Sequence, residues 1–344
     1  MSDPQEASTA SSPPQRRRPT IYDIAERLSL NPSTVSRALN KPGRINSETE
    51  ARVRAVAQEL GFRVNRAARA LPTGTTGTYG LILPDITNPV HFALIRGVEE
   101  VTRSRGFTLT ISESEGSAAT EKEAITSLQN AVDGLLVVAS RLAPEVLVEL
   151  AAITPIVASN SASDALPSVI PDIAPGLEQA ILHLKELGHR SIAYLGLSGA
   201  DASQINRGKW DLLFDLATAQ GLSIVEIPIT APTVDGGAES LRRIVASGTT
   251  AVFAYNDLVA HGVLRAARTA NVRVPDDFSL IGFDDIFSAE LAVPALTTLR
   301  VPLREIGSTA MSILLDPASN RTPSQQTLPI EFIVRESTSS APSR

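Results

Sequence analysis

The side chains best suited to chemistry in this chain are carboxylates and carboxamides. Asp276-Asp277 and Asp284-Asp285 form acidic pairs, and Tyr255-Asn256-Asp257 sets an amide beside an acid. Paired carboxylates are the equipment of general acid–base catalysis. Sequence neighbours on a strand or turn point in different directions, however, so neither pair is expected to act as one dyad. Ser198-Gly199 and the serines at 159, 161 and 163 have no histidine in a triad context, and no two of the four histidines (91, 183, 189, 261) sit at metal-ligand spacing. The chain has no cysteine, which removes disulfides, thiolate metal sites and thiol nucleophiles together. No Gly-x-Gly-x-x-Gly or Walker loop is present. Neither an enzyme, a cofactor nor a bound metal is expected. Singly placed amides and acids instead suit a hydroxylated ligand, because they match the donors and acceptors of vicinal hydroxyls. Asn256 and Asp284 lie just past apolar runs, where such groups point into a cleft. The alternative is that Asn256 and Asp257 cap a helix while Asp284 and Asp285 cap a turn. Asp257 and Asp285 are expected to be mainly structural, and Asn256 and Asp284 to face the ligand.

A second chemistry is written in the charge. Residues 16–72 carry twelve Lys/Arg against five Asp/Glu, whereas residues 73–344 carry 19 basic and 30 acidic side chains. A basic head on an acidic body points to a polyanion-binding module joined to something else. No apolar run approaches the roughly 18 residues that cross a bilayer, and Met1 to Arg18 lacks the apolar core of a secretory signal. A cytoplasmic protein without a membrane partner is expected.

Elements must position these groups. Residues 1–19 are too polar to fold and read as a disordered arm. Ile21, Ile24, Ala25 and Leu28 give one short amphipathic helix. Asn31-Pro32 starts a second, with Val35 and Leu39 inward and Ser33, Thr34, Ser36 and Arg37 outward. A third starts at Asn46 or Ser47 and ends at Gly61. Three residues between the first two helices is helix-turn-helix spacing. A plain three-helix bundle is the alternative, weakened by an outer face of hydroxyls and arginine that suits phosphates and guanine edges. From Tyr79 the apolar runs 79–83, 107–111, 134–138, 155–158, 192–196, 224–229, 250–255 and 279–283 alternate with helical stretches such as 90–105, 175–187, 209–220 and 257–270. That alternation predicts parallel sheets with helices on both faces, in two Rossmann-like subdomains with a ligand cleft at the carboxyl ends of the strands.

Three strings carry a resemblance: Thr20-Ile21-Tyr22-Asp23-Ile24-Ala25, Ser33 through Asn40, and Asn65-Arg66-Ala67-Ala68-Arg69-Ala70-Leu71. Their order and spacing closely resemble the headpiece and hinge of the lactose-repressor-like (LacI/GalR) family. So do Pro84 to Pro89, Leu187-Gly188-His189-Arg190, Tyr255-Asn256-Asp257, Ile281-Gly282-Phe283-Asp284-Asp285 and Leu296-Thr297-Thr298 in the body. The resemblance spans roughly residues 20–336. It implies an all-α helix-turn-helix headpiece followed by an α/β core like that of periplasmic sugar-binding proteins, its subdomains discontinuous in sequence. It implies that Pro32, Ser33 and Arg37 read bases and that Thr20, Tyr22, Ser36 and Asn40 hold phosphates, with Thr34 on the same face. Asn65, Ala68 and Leu71 would belong to a hinge too short to be helical alone, folding when two copies pair in the minor groove with Leu71 as a wedge. The alternative is a linker whose Leu71 packs on the core.

The resemblance also makes Asn256 and Asp284 effector contacts and adds Asn160. The body departs from the family where ring stacking occurs: Val90 and His91 replace two aromatics and Pro232 replaces another, while Lys209 stands where an arginine is usual if no gap is placed, Arg207-Gly208 filling that role only with a shifted helix start. Lysine does not reproduce a planar bidentate clamp. The organisation expected is an arm (1–19), headpiece (20–64), hinge and linker (65–77), effector-binding and dimerisation core (78–336) and polar tail (337–344). The function expected is an allosteric repressor, binding near-palindromic double-stranded operator DNA as a homodimer. Its small polar effector, possibly a sugar, polyol or nucleoside, would touch His91, Asn160, Lys209, Asn256 and Asp284. A regulator answering to a protein partner, and a ligand-binding protein with a vestigial head, are the rivals.

Overall fold

The computed structural model describes residues 19–40, 44–62, 75–161, 163–197 and 204–343, without the side chains of Asn40 and residues 204–207. The expected arm up to residue 18 and the hinge residues Asn65, Ala68 and Leu71 lie outside the described residues. The chain divides into two units, Met1–Gly74 and Thr75–Arg344.

The first unit holds α1 (Ile21–Leu28), α2 (Pro32–Asn40) and α3 (Ser47–Glu59). Each helix starts where a short polar side chain meets backbone amides or a neighbour. The Thr20 amide and hydroxyl both donate to Asp23 Oδ2, at 2.6 and 2.7 Å. Asn31 Oδ1 accepts from Ser33 N and Asn46 Oδ1 from Glu48 N, both at 2.9 Å. Gly61 ends the third helix in the left-handed region, φ +67°. Ile24, Ala25, Val35, Ala38, Val53 and Ala57 form the buried core. Ala38 is fully buried in this core, and Leu39 is half-buried and packs against it.

The second unit runs β1 (Thr78–Leu83), α4 (His91–Ser104), β2 (Thr108–Glu113), α5 (Ala118–Leu128), β3 (Leu135–Val138), α6 (Pro144–Ala151), β4 (Ile156–Ser159), β5 (Ser168–Asp172) and α7 (Ala174–Glu186). It continues β6 (Ser191–Gly196), α8 (Gln204–Ala219), β7 (Ser223–Pro228), α9 (Val234–Ser247), β8 (Ala251–Ala254), α10 (Asp257–Thr269) and β9 (Ser279–Ile281). Last come β10 (Thr298–Arg300), α11 (Leu303–Leu315), β11 (Gln325–Pro329) and β12 (Glu331–Ile333). One sheet has the order β11-β5-β4-β3-β1-β2 and the other β7-β6-β8-β9, with every neighbour parallel. The central strands β3, β4 and β8 are buried along their whole length. Coverage on both faces is what writes them as continuous apolar runs.

The two sheets are two Rossmann-like subdomains, discontinuous in sequence as the resemblance implies. The chain leaves the larger sheet after β5, returns to it through β10 and α11, and leaves again through β12. The strands β10 and β12 pair antiparallel, Thr298 opposite Ile333. Neither these two short crossover strands nor β5 and β11, each ending in a Pro-containing stretch, are among the apolar runs read from sequence. The segment from 337 is not a free tail. Ser337 is fully buried. Leu280 N donates to Ser337 O, Ser337 Oγ donates back to Leu280 O, and Ala341 N donates to Leu187 O. Serine-rich composition disguised a segment that covers the open edge of β9, which an exposed strand requires.

Helices α9 and α10 meet through a glycine. A Cβ on Gly262 would stand 1.9 Å from Val234 O, a backbone atom that does not yield. A Cβ on Gly208, in α8, would meet nothing within 4 Å. Gly262→Ala is therefore expected to cost about 1–3 kcal/mol by overpacking, and Gly208→Ala to add about 0.4–1 kcal/mol. Urea denaturation of both variants checks the contrast; equal midpoints would refute the close approach.

Candidate functional site

The head presents one polar helix face. Ser33 and Arg37, four residues apart on α2, are exposed, while Thr34 and Ser36 are half-buried beside them. Arg37 Nη2 reaches Ser33 Oγ only at 3.5 Å, and among the described residues Arg37 forms no ion pair. Pro32 opens the helix, Tyr22 is 67% exposed, and Thr20 is occupied in capping α1. The side chain of Asn40 and the residues Asn65, Ala68 and Leu71 lie outside the described residues. A guanidinium and a hydroxyl exposed at the start of the second helix of a helix-turn-helix suit the edge of a base pair in the major groove.

In the core, both sheets reverse strand order next to their first strand, between β1 and β3 in one and between β6 and β8 in the other. Loops after the strands at such a switch point make the ligand crevice of open α/β sheets. His91 begins the helix after β1, and Lys209 lies on the helix after β6. Asn160 follows β4, Asn256 follows β8 and Asp284 follows β9. The five effector candidates thus all stand at the carboxyl ends of parallel strands.

Lys209, Asn256 and Asp284 come together on the smaller sheet. Lys209 is buried, and its Nζ donates to Tyr255 O at 3.1 Å. The same ammonium lies 3.6 Å from the Phe283 ring centroid and 5.0 Å from that of Tyr255. Asn256 caps α10: its Oδ1 accepts from Val259 N at 2.9 Å, and its Nδ2 donates to Pro232 O at 3.3 Å. One amide hydrogen and one lone pair remain. Asp284 has φ 111° and a recessed side chain partly open to solvent. Among the described residues no group donates to its carboxylate. Its neighbour looks elsewhere: Asp285 meets Arg300 and Arg335, each at 2.7 Å.

On the larger sheet stand His91 and Asn160. His91 is 8% exposed, and its Nδ1 has no partner among the described residues. Burial pulls this imidazole down to about 4, against a smaller upward pull from Asp85, so it is neutral at physiological pH. Asn160 is half-buried in the left-handed region, φ 51°, with its amide donating to Val169 O at 3.0 Å.

Charge dominates the smaller-sheet face. Burial pushes Asp284 up to about 8, with Asp257 adding and Lys209 opposing. It pushes Lys209 down to about 8, the two acids opposing. Asp257 rises to about 7 through burial despite accepting Thr298 Oγ1 at 2.6 Å and Ile286 N at 2.9 Å. Gly282 completes the packing, because a Cβ there would stand 2.1 Å from Asp257 Oδ1.

Residues 20–65 match the family described as bacterial regulatory proteins, lacI family, and residues 181–338 match a periplasmic binding protein-like domain. The transcriptional regulator DegA of Bacillus subtilis is 32% identical over 338 residues, covering 93% of this chain and 98% of that protein. This chain belongs to the LacI family. It is a DNA-binding transcriptional regulator. The transcriptional repressor PurR of Photobacterium profundum is 30% identical, over 92% of this chain and 98% of its own length. The lac repressor dimer bound to operator and the anti-inducer ONPF shares the fold, with TM-score 0.84 at 23% identity over 94% of this chain and all of that one. A LacI-family regulator from Enterococcus faecium with bound ribose has TM-score 0.69 at 26% identity, over 76% of this chain and 99% of that one. Among the described residues no helix is long and apolar enough to cross a membrane, and no group of three or more His, Asp or Glu could hold a metal ion.

Sequence reading missed the rings that frame Lys209 in this LacI-family core. Tyr255 and Phe283 immediately precede Asn256 and Asp284, and an aromatic before each polar residue was the available signal. The electrostatics carry a signed prediction. A carboxyl whose folded pKa lies above its unfolded value holds its proton longer in the native state. Stability then falls as pH rises from the unfolded value near 4 toward about 8. Asp284→Asn removes that loss, so the variant should melt above the parent at pH 8, with the difference vanishing near pH 4. Thermal denaturation at both values checks it; a lower midpoint for the variant at pH 8 would reverse the sign.

Proposed function

We propose that this regulator is a repressor that binds a near-palindromic operator as a homodimer, its affinity set by a small uncharged polyhydroxylated effector. The observation that carries the effector is the recessed Asp284 carboxylate, which has no donor among the described residues and stands at the carboxyl end of β9. A half-buried acid to which no described residue donates is open to donors from a ligand, and vicinal hydroxyls are such donors. Ribose in a LacI-family neighbour of the same core supports this class. His91 and Asn160 from the larger sheet, with Lys209 and the remaining Asn256 valences, would complete the contact set. Lys209 spends a donor on Tyr255 O and lies against two rings and two acids, which leaves hydroxyl donors the better match for Asp284.

The dimer rests on a different observation. Phe287, Leu291 and Val293 stand 62%, 69% and 86% exposed within one short stretch of the core. Apolar side chains gathered this closely at the surface mark a contact site, and a two-fold partner suits a palindromic operator.

Base reading falls to Pro32, Ser33 and Arg37, phosphate contact to Thr20, Tyr22, Ser36 and Asn40, with Thr34 on the same DNA-facing surface, and the minor groove to Asn65, Ala68 and Leu71. The test starts from duplexes selected by the full-length protein from a random pool. Arg37→Ala should lose about 1–3 kcal/mol on the selected duplex and almost nothing on random DNA. An equal loss on both would make Arg37 a phosphate contact, and a pool without enrichment would sink the operator reading.

A further inference from the structure

The crossovers between the two sheets carry a charged cluster that the effector contacts do not use. Asp285 is its centre. Its Oδ2 accepts from Arg300 Nε on β10, and its Oδ1 pairs with Arg335 Nη2 just beyond β12, both at 2.7 Å. The Asp285 side chain is 7% exposed and that of Arg335 15%, so their pairing is sheltered from solvent. Arg300 is further tied to Glu331 on β12 at 3.3 Å, and Arg335 Nη1 donates to Leu296 O at 2.8 Å. Asp285 therefore grips both crossovers that bracket α11 and β11, the elements by which the chain visits the larger sheet a second time.

The same five-residue loop carries the ligand-facing acid. Gly282 N donates to Thr297 O, and Asp284 N donates to Leu299 O, so the loop is laced to the outgoing crossover. Asp284 and Asp285 both have positive φ, 111° and 55°. Two successive residues in a region that side chains seldom adopt persist when the surroundings over-determine them. The result turns one carboxylate toward Lys209 and the next toward the crossovers. The β10–β12 pair joins two of the crossings between the sheets, so a rotation of one sheet against the other that displaces this pair must either carry Asp285 along or break its ion pairs.

We infer that Asp285 is a positioning residue that couples occupancy of the effector cleft at Asp284 to the hinge between the subdomains. The inference rests on the effector reading above and adds the route by which a ligand is felt. A ligand that draws Asp284 into the cleft shifts the adjacent carboxylate and with it both crossovers. Pairing at Asp285 then biases the relative orientation of the sheets, which is the two-state element that allostery needs.

Hydrogen–deuterium exchange on the full-length protein tests the clamp without DNA or ligand. Asp285→Asn should raise amide exchange in 298–301 and 331–335 by about tenfold, the scale of one lost charge-assisted hydrogen bond, while β1 and β6 keep parental rates. Asp276→Asn, which removes only an exposed pair with Arg273, is the control and should leave all four segments unchanged. Unaltered exchange in both crossovers of Asp285→Asn overturns the inference. The second arm reads operator affinity on the selected duplex. Asp285→Asn should change it by about fivefold or more, the low end of allosteric coupling, Arg335→Gln should change it in the same direction, and the double variant should match Asp285→Asn. Raised exchange with unchanged operator affinity leaves Asp285 a brace without coupling and also overturns the inference. If the parental protein selects no duplex, the operator reading fails by itself, and the exchange arm still decides the clamp.

Discussion

Asp257 enters α10 as its first residue and carries its carboxylate into the protein, away from water. Desolvation there is tolerable only with donors, and the donors come from two other segments: the hydroxyl of Thr298 on β10 and the amide of Ile286 beyond β9. Helix α10, the loop 282–286 and the outgoing crossover must therefore arrive together or not at all. Gly282 leaves the space that this carboxylate needs. Everything facing the cleft from the smaller sheet follows. Asn256 is fixed as the cap of the same helix, Phe283 and Tyr255 hold Lys209 between their rings, and Asp284 is left recessed without a donor among the described residues. A structural acid, well satisfied, positions the acid proposed to meet the effector. That division is the usual relation between a stable scaffold and a site that carries an unfavourable charge.

Much of this was legible from residue spacing. Alternating apolar runs and helical stretches pointed to the two parallel sheets, because strands buried on both faces need no polar residues. Asn31, Asn46 and Gly61 marked helix ends in the head because capping is local chemistry. What was not legible depends on tertiary partners. The crossover strands β10 and β12 are three residues long, and pairing with each other, not their own pattern, makes them strands. Residues 337–341 look like a solvated tail until the open edge of β9 and the hydroxyl network around His189 are seen. There, His189 Nδ1 lies 2.9 Å from Thr250 Oγ1 and its Nε2 3.1 Å from Ser339 O. Asn256 was read both as a cap and as a ligand contact; the structure gives it the cap, with valences to spare.

The departures from the family pattern gain a physical meaning on this face. Lys209 keeps the positive charge expected there but anchors it to Tyr255 O and to two rings. The lost aromatics at Val90 and His91 lie on the larger sheet, whereas Tyr255, Phe283 and Trp210 enrich the smaller one. Trp210, the only tryptophan of the chain, stacks on Tyr194 at 5.7 Å beside Lys209, so it reports on this region by its own fluorescence. The basic head and the acidic core differ in charge as well as in sequence: one attracts a polyanion and the other repels it.

The central claim is that cleft occupancy and operator affinity are one linked equilibrium. It is tested most directly by measuring both affinities in the same full-length protein. A panel of neutral sugars, polyols and nucleosides is screened by thermal shift, since a native-state ligand raises the midpoint. For any compound that binds, operator affinity is read by fluorescence anisotropy with and without it, and compound affinity by Trp210 emission with and without operator. Linkage requires the two ratios to be equal, and the account predicts equal ratios that differ from one and collapse to one in Asp284→Asn. A panel without a single midpoint shift, or a compound that binds tightly and leaves operator affinity unchanged, would contradict it.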